Sequence, residues 1–178
     1  NAGVPDNWSI DHNYIHDTVN THGSNQDHLI YLNAGMGGGI IERNIFAHSP
    51  NGRGVKIGPP SSSTTPIGNV TIRYNTFYDN LGPSNLQMSY GSTDNQIYRN
   101  IMVLPGANKT NITTLNLNGS GNVVHDNIGW SSTGVLTAEA GLSDGGGNSL
   151  VDPQFVDAAN NDFHTNNPAV AAYGRYAP

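Results

Sequence analysis

The feature that most constrains this chain is a short phrase repeated around an asparagine. The phrase has an apolar residue three positions before the Asn and an apolar or small residue two positions after it. The Asn residues are spaced by 31, 31, 25 and 27 positions, at Asn13, Asn44, Asn75, Asn100 and Asn127. Apolar and polar residues alternate on both sides of each Asn, as in short β-strands. The spacing predicts one recurring corner in each unit of the structure.

A second strand repeats between these phrases. Its copies are "LIYLNAG" at 29–35, "GVKIGP" at 54–59, "LQMSYG" at 86–91 and "TLNLNGSG" at 114–121. Alternation assigns the faces of such strands. Aligning the four copies predicts that Leu115 stacks on Leu86 in the core. The same alignment predicts an outward row of Tyr31, Lys56, Gln87 and Asn116, followed by a row of Asn33, Gly58, Ser89 and Asn118.

A period of 25 to 31 residues with about three short strands is typical of a β-solenoid, in which stacked coils share one core. We therefore predict a single all-β domain over residues 1–178, a parallel β-helix of about five to six coils with Asn-rich turns. Each repeated Asn is expected to turn the chain and to bond the Asn of the next coil, forming a ladder with steps of about 4.8 Å. Residues 150–178 are expected to form a C-terminal tail that covers one end.

Composition excludes two classes of partner. The chain has 25 Asn and 22 Gly, which suit tight turns, but only seven Lys and Arg in total and a net charge of −6. A nucleic-acid interface needs clustered basic residues, so that partner is not expected. No apolar run is long enough to span a membrane, and the absence of Cys excludes disulfides.

Three phrases carry a family resemblance: "DHLIYL" at Asp27–Leu32, "GRGVKIG" at Gly52–Gly58, and the closing "LVDPQFVDAANNDFHTNNPAVAAYG". With the Asn corners, they resemble secreted right-handed parallel β-helix proteins of the pectate-lyase-like superfamily, over roughly residues 7–174. The resemblance implies a right-handed solenoid, an extracellular or cell-surface location and a polysaccharide partner. Because no capping helix is visible before Asn7, we expect a piece of a longer solenoid.

That superfamily contains lyases, hydrolases, epimerases, phage tailspikes and non-catalytic adhesins, so the fold alone does not select an activity. The signature motifs of polygalacturonases, alginate epimerases and pectate lyases are absent from the sequence. The coil phrasing is most similar to that of alginate and chondroitin-type lyases, although Ser89 stands where such a lyase would carry an Arg.

Candidate catalytic residues come from the outward row. Lys56, one of two Lys, can neutralise a uronate carboxylate or act as a base, His28 is the alternative base, and Tyr31 is a candidate acid or stacking platform. Five further residues on or beside these strands are candidates for substrate binding: Arg53, Gln87, Ser89, Tyr90 and Asn116.

Ionisable residues are densest at the start of the chain. His12, His16, His22 and His28 lie there with Asp11, Asp17 and Asp27. His and carboxylate together can bind a divalent cation, and Ca²⁺ is the ion considered, but the spacing matches no metal motif and no ligand set is predicted. On neighbouring coils, the pairs Glu42 with Arg73 and Arg99 with Asp126 are expected to form cross-strand ion pairs.

The leading hypothesis is an extracellular polysaccharide-processing protein that acts on a uronate-containing glycan by β-elimination. The alternative is a solenoid without catalytic activity, serving as a glycan-binding module, an adhesin or a filament that associates end to end. Unsaturated product ends distinguish the first hypothesis, and concentration-dependent polymers distinguish the filament.

Overall fold

The computed structural model describes residues 7–19, 26–33, 35, 37–61, 65–105, 108–136 and 141–178. Three parallel sheets run along the molecule, and successive strands of the chain pass from one sheet to the next. Every pairing within these sheets is parallel, with neighbouring strands one coil apart. The described chain makes five complete coils and part of a sixth, which confirms the predicted parallel β-helix.

Short strands build each sheet. Sheet 1 contains Ser9–Asp11, Ile40–Glu42, Thr71–Arg73, Gln96–Tyr98, Asn122–His125 and Leu142–Gly146. Sheet 2 contains Tyr14–His16, Ile45–Ser49, Thr76–Asn80, Ile101–Val103, Ile128–Trp130 and Ser149–Leu150. Sheet 3 contains Ile30–Leu32, Val55–Ile57, Leu86–Ser89, Thr110–Leu115 and Gly134–Leu136. A minor parallel pair joins Ile67–Gly68 to Ser92–Thr93.

The repeated Asn residues form the predicted ladder at the corner between sheets 1 and 2. Each side-chain Nδ2 donates to the Oδ1 of the Asn one coil further on, at 3.0 Å for every step. The backbone N–H of each Asn donates to the same oxygen. The ladder also has a sixth member, Asn148. It lies only 21 residues beyond Asn127, which is shorter than the repeat spacing of 25 to 31, so the repeat did not predict it.

The sharp turn itself is made by the residue before each ladder Asn. Arg43, Tyr74 and Arg99 all have φ 54, and His12 and Asp126 have similar positive values. This left-handed conformation is uncommon outside glycine. It is stabilised here because the following Asn also donates to the carbonyl two residues before itself, as Asn75 does to Arg73. The side chains before the ladder therefore stand outward in a column along the corner.

The apolar positions of the repeats form one continuous core. Ile41, Ile72, Ile97 and Val124 stack in sheet 1, and the rings of Phe46 and Phe77 in sheet 2 lie 5.0 Å apart. No coil buries its apolar face without its neighbours, so the core exists only through stacking.

The C-terminal residues lie along the outer face of sheet 2, so the prediction that they cover an end of the solenoid is wrong. An antiparallel hairpin of Phe155–Asp157 and Asp162–Thr165 packs Phe163 against Tyr78 and Ile45. Two 3₁₀ turns, Ala158–Asn160 and Pro168–Val170, complete this tail. The physical reason is that strands such as Ile101–Val103 are apolar on both faces, so sheet 2 must be covered from outside as well.

Among the described residues, no helix has the length and apolar character needed to cross a membrane.

Candidate functional site

The candidate site lies on the outer face of sheet 3, over the first two coils. Tyr31 and Lys56 are direct cross-strand neighbours, and Lys56 is in turn the neighbour of Gln87. The Lys56 ammonium nitrogen lies 4.7 Å from the centroid of the Tyr31 ring, a cation–π contact. The predicted start of the outward row, Tyr31 to Lys56 to Gln87, is therefore confirmed.

His28 is held beside this pair by the chain that enters the second coil. Its Nδ1 accepts a hydrogen bond of 3.2 Å from the backbone N–H of Arg53, and its ring meets the Tyr31 ring edge to face at 5.9 Å. The close approach needs glycine at Gly52, where a side chain would collide with the carbonyl of Asp27. Sheet 3 therefore brings together three predicted catalytic residues and Arg53.

The hydrogen bond to Nδ1 determines how His28 can act. A neutral imidazole whose Nδ1 accepts must carry its proton on Nε2. That Nε2 is buried and has no hydrogen-bond partner among the described residues. In this tautomer His28 has no free acceptor nitrogen for abstracting a proton, and its Nε2–H is shielded from the outer face.

Burial depresses the pKa of every cationic group here. The pKa of His28 is lowered to about 4, first by burial and then by the nearby Arg53 and Lys56 charges. Burial, followed by the Arg53 charge, also lowers the pKa of Lys56. Although Lys56 points outward, its residue surface is only 9% exposed. A partly desolvated amine of lowered pKa has a larger fraction in the neutral form that acts as a base.

The other two titratable groups complete the electrostatics of the face. Burial lowers the pKa of Arg53 to about 10. The pKa of Tyr31 is raised by burial and then by the neighbouring Tyr90, so its phenol keeps its proton at neutral pH. Tyr90 follows the third sheet 3 strand with φ 48. The predicted candidates Arg53, Gln87 and Tyr90 thus lie with the central three residues.

Asn116 does not join this row, and its predicted position is wrong. Gln87 pairs with Thr113, and Ile112 stacks on Leu86 where the sequence alignment placed Leu115. The reason is a second Asn ladder at the entry to sheet 3, in which Asn85 Nδ2 donates to Asn111 Oδ1 at 2.8 Å. Aligning these amides sets the register of the residues that follow. The matching phrases "SNLQMS" and "TNITTL" carried this signal in the sequence.

Ser89 is also not part of the outer face. It is fully buried, and its hydroxyl donates to the carbonyl of Ile57 at 3.3 Å. Gly58 passes so close that a side chain there would collide with Ser89. The prediction that Ser89 lies on the exposed outer face is therefore wrong, because the chain at Gly58 packs against it.

The acidic and His residues near the start of the chain form local pairs. His12 bonds Asp11 at 3.0 Å and His16 bonds Asp17 at 2.6 Å, all at exposed positions. Asp27 lies by Asn51, and His22 lies outside the described residues. Within the described part of the chain, no three His, Asp or Glu residues converge as a metal site would require.

Comparison with known proteins gave no match to the chain: no family model, no curated protein and no solved structure is significantly similar to it.

Proposed function

We propose that this protein is an extracellular polysaccharide-processing protein that binds a uronate-containing glycan along sheet 3 and cleaves it by β-elimination. The observation that carries the proposal is the Lys56 amine, which is nearly buried, has a lowered pKa and lies over the Tyr31 ring. An amine of this kind can both attract a carboxylate and, once neutral, accept a proton.

In the proposed reaction, neutral Lys56 removes the proton on the carbon beside the uronate carboxylate. The electron pair of that C–H bond forms the new carbon–carbon double bond, and the glycosidic C–O bond breaks. The Tyr31 phenol, which stays protonated at neutral pH, gives its proton to the leaving oxygen. The reaction needs no added cofactor, because Lys56 accepts one proton and Tyr31 donates one.

The remaining residues bind and orient the glycan. His28 supports the Tyr31 ring from the side, and the side-chain amide of Gln87 continues the row toward the next sugar. The Arg53 charge lowers the pKa of Lys56 and makes the face attractive to an anion. Of the two candidate bases, Lys56 suits the removal of a proton better than His28. The Nδ1 of His28 already accepts a hydrogen bond from the backbone of Arg53, and its Nε2 carries the proton.

The test incubates the protein with alginate, pectate and chondroitin and follows the ultraviolet absorbance of unsaturated product ends. Lys56→Arg keeps the positive charge but removes the usable base, so product formation should stop while glycan binding persists. Tyr31→Phe should slow product formation and keep the ring. Lys109→Arg, a matched change at the second lysine, should leave the rate unchanged. Full activity of Lys56→Arg would overturn the assignment of the base.

A second function, glycan binding without cleavage, is favoured by the Tyr31 ring, which is 39% exposed and can stack on a sugar. It predicts binding of the same polyuronates with no product from the wild-type protein. Tyr31→Phe, which keeps the ring, should then retain more affinity than Tyr31→Ala.

A further inference from the structure

Three arginines converge on one tyrosine at the corner between sheets 1 and 2. The guanidinium carbons of Arg43, Arg73 and Arg99 lie 5.3, 6.0 and 5.9 Å from the centroid of the Tyr74 ring. They come from successive coils: Arg43 and Arg99, like Tyr74, are left-handed residues before the Asn ladder, and Arg73 ends the sheet 1 strand that precedes Tyr74. We call these four residues the arginine corner. The chain has only five Arg in total and a net charge of −6, so this local concentration of charge is unusual.

Among the described residues, only one of the three arginines pairs with an acidic side chain. Arg73 pairs with Glu42 at 2.7 Å, as the sequence predicted. The expected pair of Arg99 with Asp126 is absent, because Asp126 bonds His125 and the Arg99 guanidinium contacts the Tyr74 hydroxyl at 3.3 Å. Arg43 donates to the backbone oxygens of Ala177 and Pro178. Neither Arg43 nor Arg99 forms an ion pair with an Asp or Glu side chain among the described residues.

The tail brings a fourth arginine to the same corner. The N–H of Gly174 donates to the carbonyl of Arg99 at 2.9 Å, which brings the backbone of the tail to the corner, and the next residue, Arg175, holds its guanidinium over the Tyr176 ring at 5.6 Å. Next to it lies a pocket of about 240 Å³ whose lining includes Thr76, Tyr173, Arg175 and Tyr176. Pockets for drug-sized ligands measure roughly 300–1,000 Å³, so this one suits a single sugar unit. Tyrosine rings and a guanidinium are suitable partners for a sugar that carries a carboxylate.

We propose that the arginine corner, Arg175 and this pocket form a second binding site for an acidic polysaccharide, separate from sheet 3. Like charges packed around one ring repel each other, and an anion relieves that repulsion. The charges lie on successive coils separated by about 4.8 Å, so the ligand must carry its negative groups in a linear array. The pocket favours a glycan over a nucleic acid. The site shares only its ligand class with the proposed function and contains no residue of sheet 3.

The experiment measures binding of the whole chain to immobilised pectate as a function of salt. The double variant Arg99→Gln with Arg175→Gln should bind about tenfold more weakly at low salt, because two charge-assisted contacts are lost, and its affinity should depend less on salt. Lys109→Gln removes one charge elsewhere and should change the affinity less than about twofold. Arg99→Lys with Arg175→Lys, which restores the charge, should recover most of the binding.

Two results would overturn this proposal. One is wild-type affinity in the double Gln variant. The other is equally tight binding of duplex DNA that falls in parallel in that variant, which would mean a general polyanion surface. Lys56→Gln separates the two sites: it should abolish product formation and retain binding at the corner. If Lys56→Gln loses all binding and the double Gln variant loses none, the glycan binds at sheet 3 and the proposed site at the arginine corner is wrong.

Discussion

At the residue scale, the buried side-chain amides of the Asn ladder are important for the stability of the fold. Asn75 is fully buried, donates to Asn100, Ile41 and Arg73, and accepts from Asn44. Its side chain therefore satisfies polar groups on three coils at once. A buried amide so fully bonded is costly to remove because its partners would be left without hydrogen bonds.

Asn75→Ala should lower the free energy of unfolding by about 3 kcal/mol, since several buried backbone groups lose their partner. The matched control is Asn118→Ala at an exposed position, which should change it by less than about 0.5 kcal/mol. Denaturant unfolding of the two variants and the wild type makes the comparison. Equal midpoints for all three would mean that the ladder does not stabilise the fold.

The lowered pKa of His28 predicts a stability that depends on pH. The folded state disfavours the charged form, so between pH 6.5 and about 4 the unfolded chain binds a proton that the folded protein does not. Stability from this residue is complete above pH 6.5 and is lost progressively as pH falls toward 4.

The difference in denaturation midpoint between wild type and His28→Gln should therefore shrink or reverse across that interval as the pH is lowered. His164→Gln at an exposed position is the control for general effects of losing a histidine. A difference that stays constant with pH would contradict the lowered pKa.

At the element scale, the register of sheet 3 is the point at which sequence reasoning failed. The phrases "TNITTL" and "TLNLNG" overlap, and only the second has apolar residues two positions apart, at Leu115 and Leu117, which is why it was aligned with the other copies. The amide of Asn111 selects the first, because it bonds Asn85 in the coil before. The outcome is a core position for Ile112 and a Leu115 that is 40% exposed.

Ile112→Ala should destabilise the protein by about 2–4 kcal/mol through the cavity it leaves. Leu115→Ala should cost less than about 1 kcal/mol, because much of its side chain is already in water. Thermal or denaturant unfolding measures both changes. The register inferred from sequence predicts the reverse order, so a larger loss in Leu115→Ala would overturn the structure's register.

At the scale of the whole molecule, the C-terminal tail adds a layer of residues over the outer face of sheet 2. Phe155, Phe163 and Tyr78 form an aromatic cluster over sheet 2, and Val170 packs on Ile101 and Ile128. Without these contacts a row of apolar side chains on sheet 2 would face water. The tail is therefore an integral part of the fold.

End-to-end association of the solenoid stays a prediction. Light scattering as a function of protein concentration tests it.

Phe163→Ala should lower stability by about 3–4 kcal/mol, since a fully buried aromatic side chain is removed from the junction of tail and sheet. It should also increase binding of a hydrophobic dye as the flank opens. Val156→Ala lies in the same hairpin at an exposed position and should have little effect on either measurement. Unchanged stability and dye binding in Phe163→Ala would show that the tail is not required to cover sheet 2.

The sequence by itself determined the solenoid, the Asn corner and the core faces of sheets 1 and 2, because these follow from a local pattern of residues that occurs five times in the chain. It also placed Tyr31, Lys56 and Gln87 in one row. Only the tertiary structure decided the tautomer of His28, the burial of Ser89 and the position of the tail. Those depend on contacts between coils whose loops differ in length, and a one-dimensional pattern does not encode which distant groups a variable loop brings together.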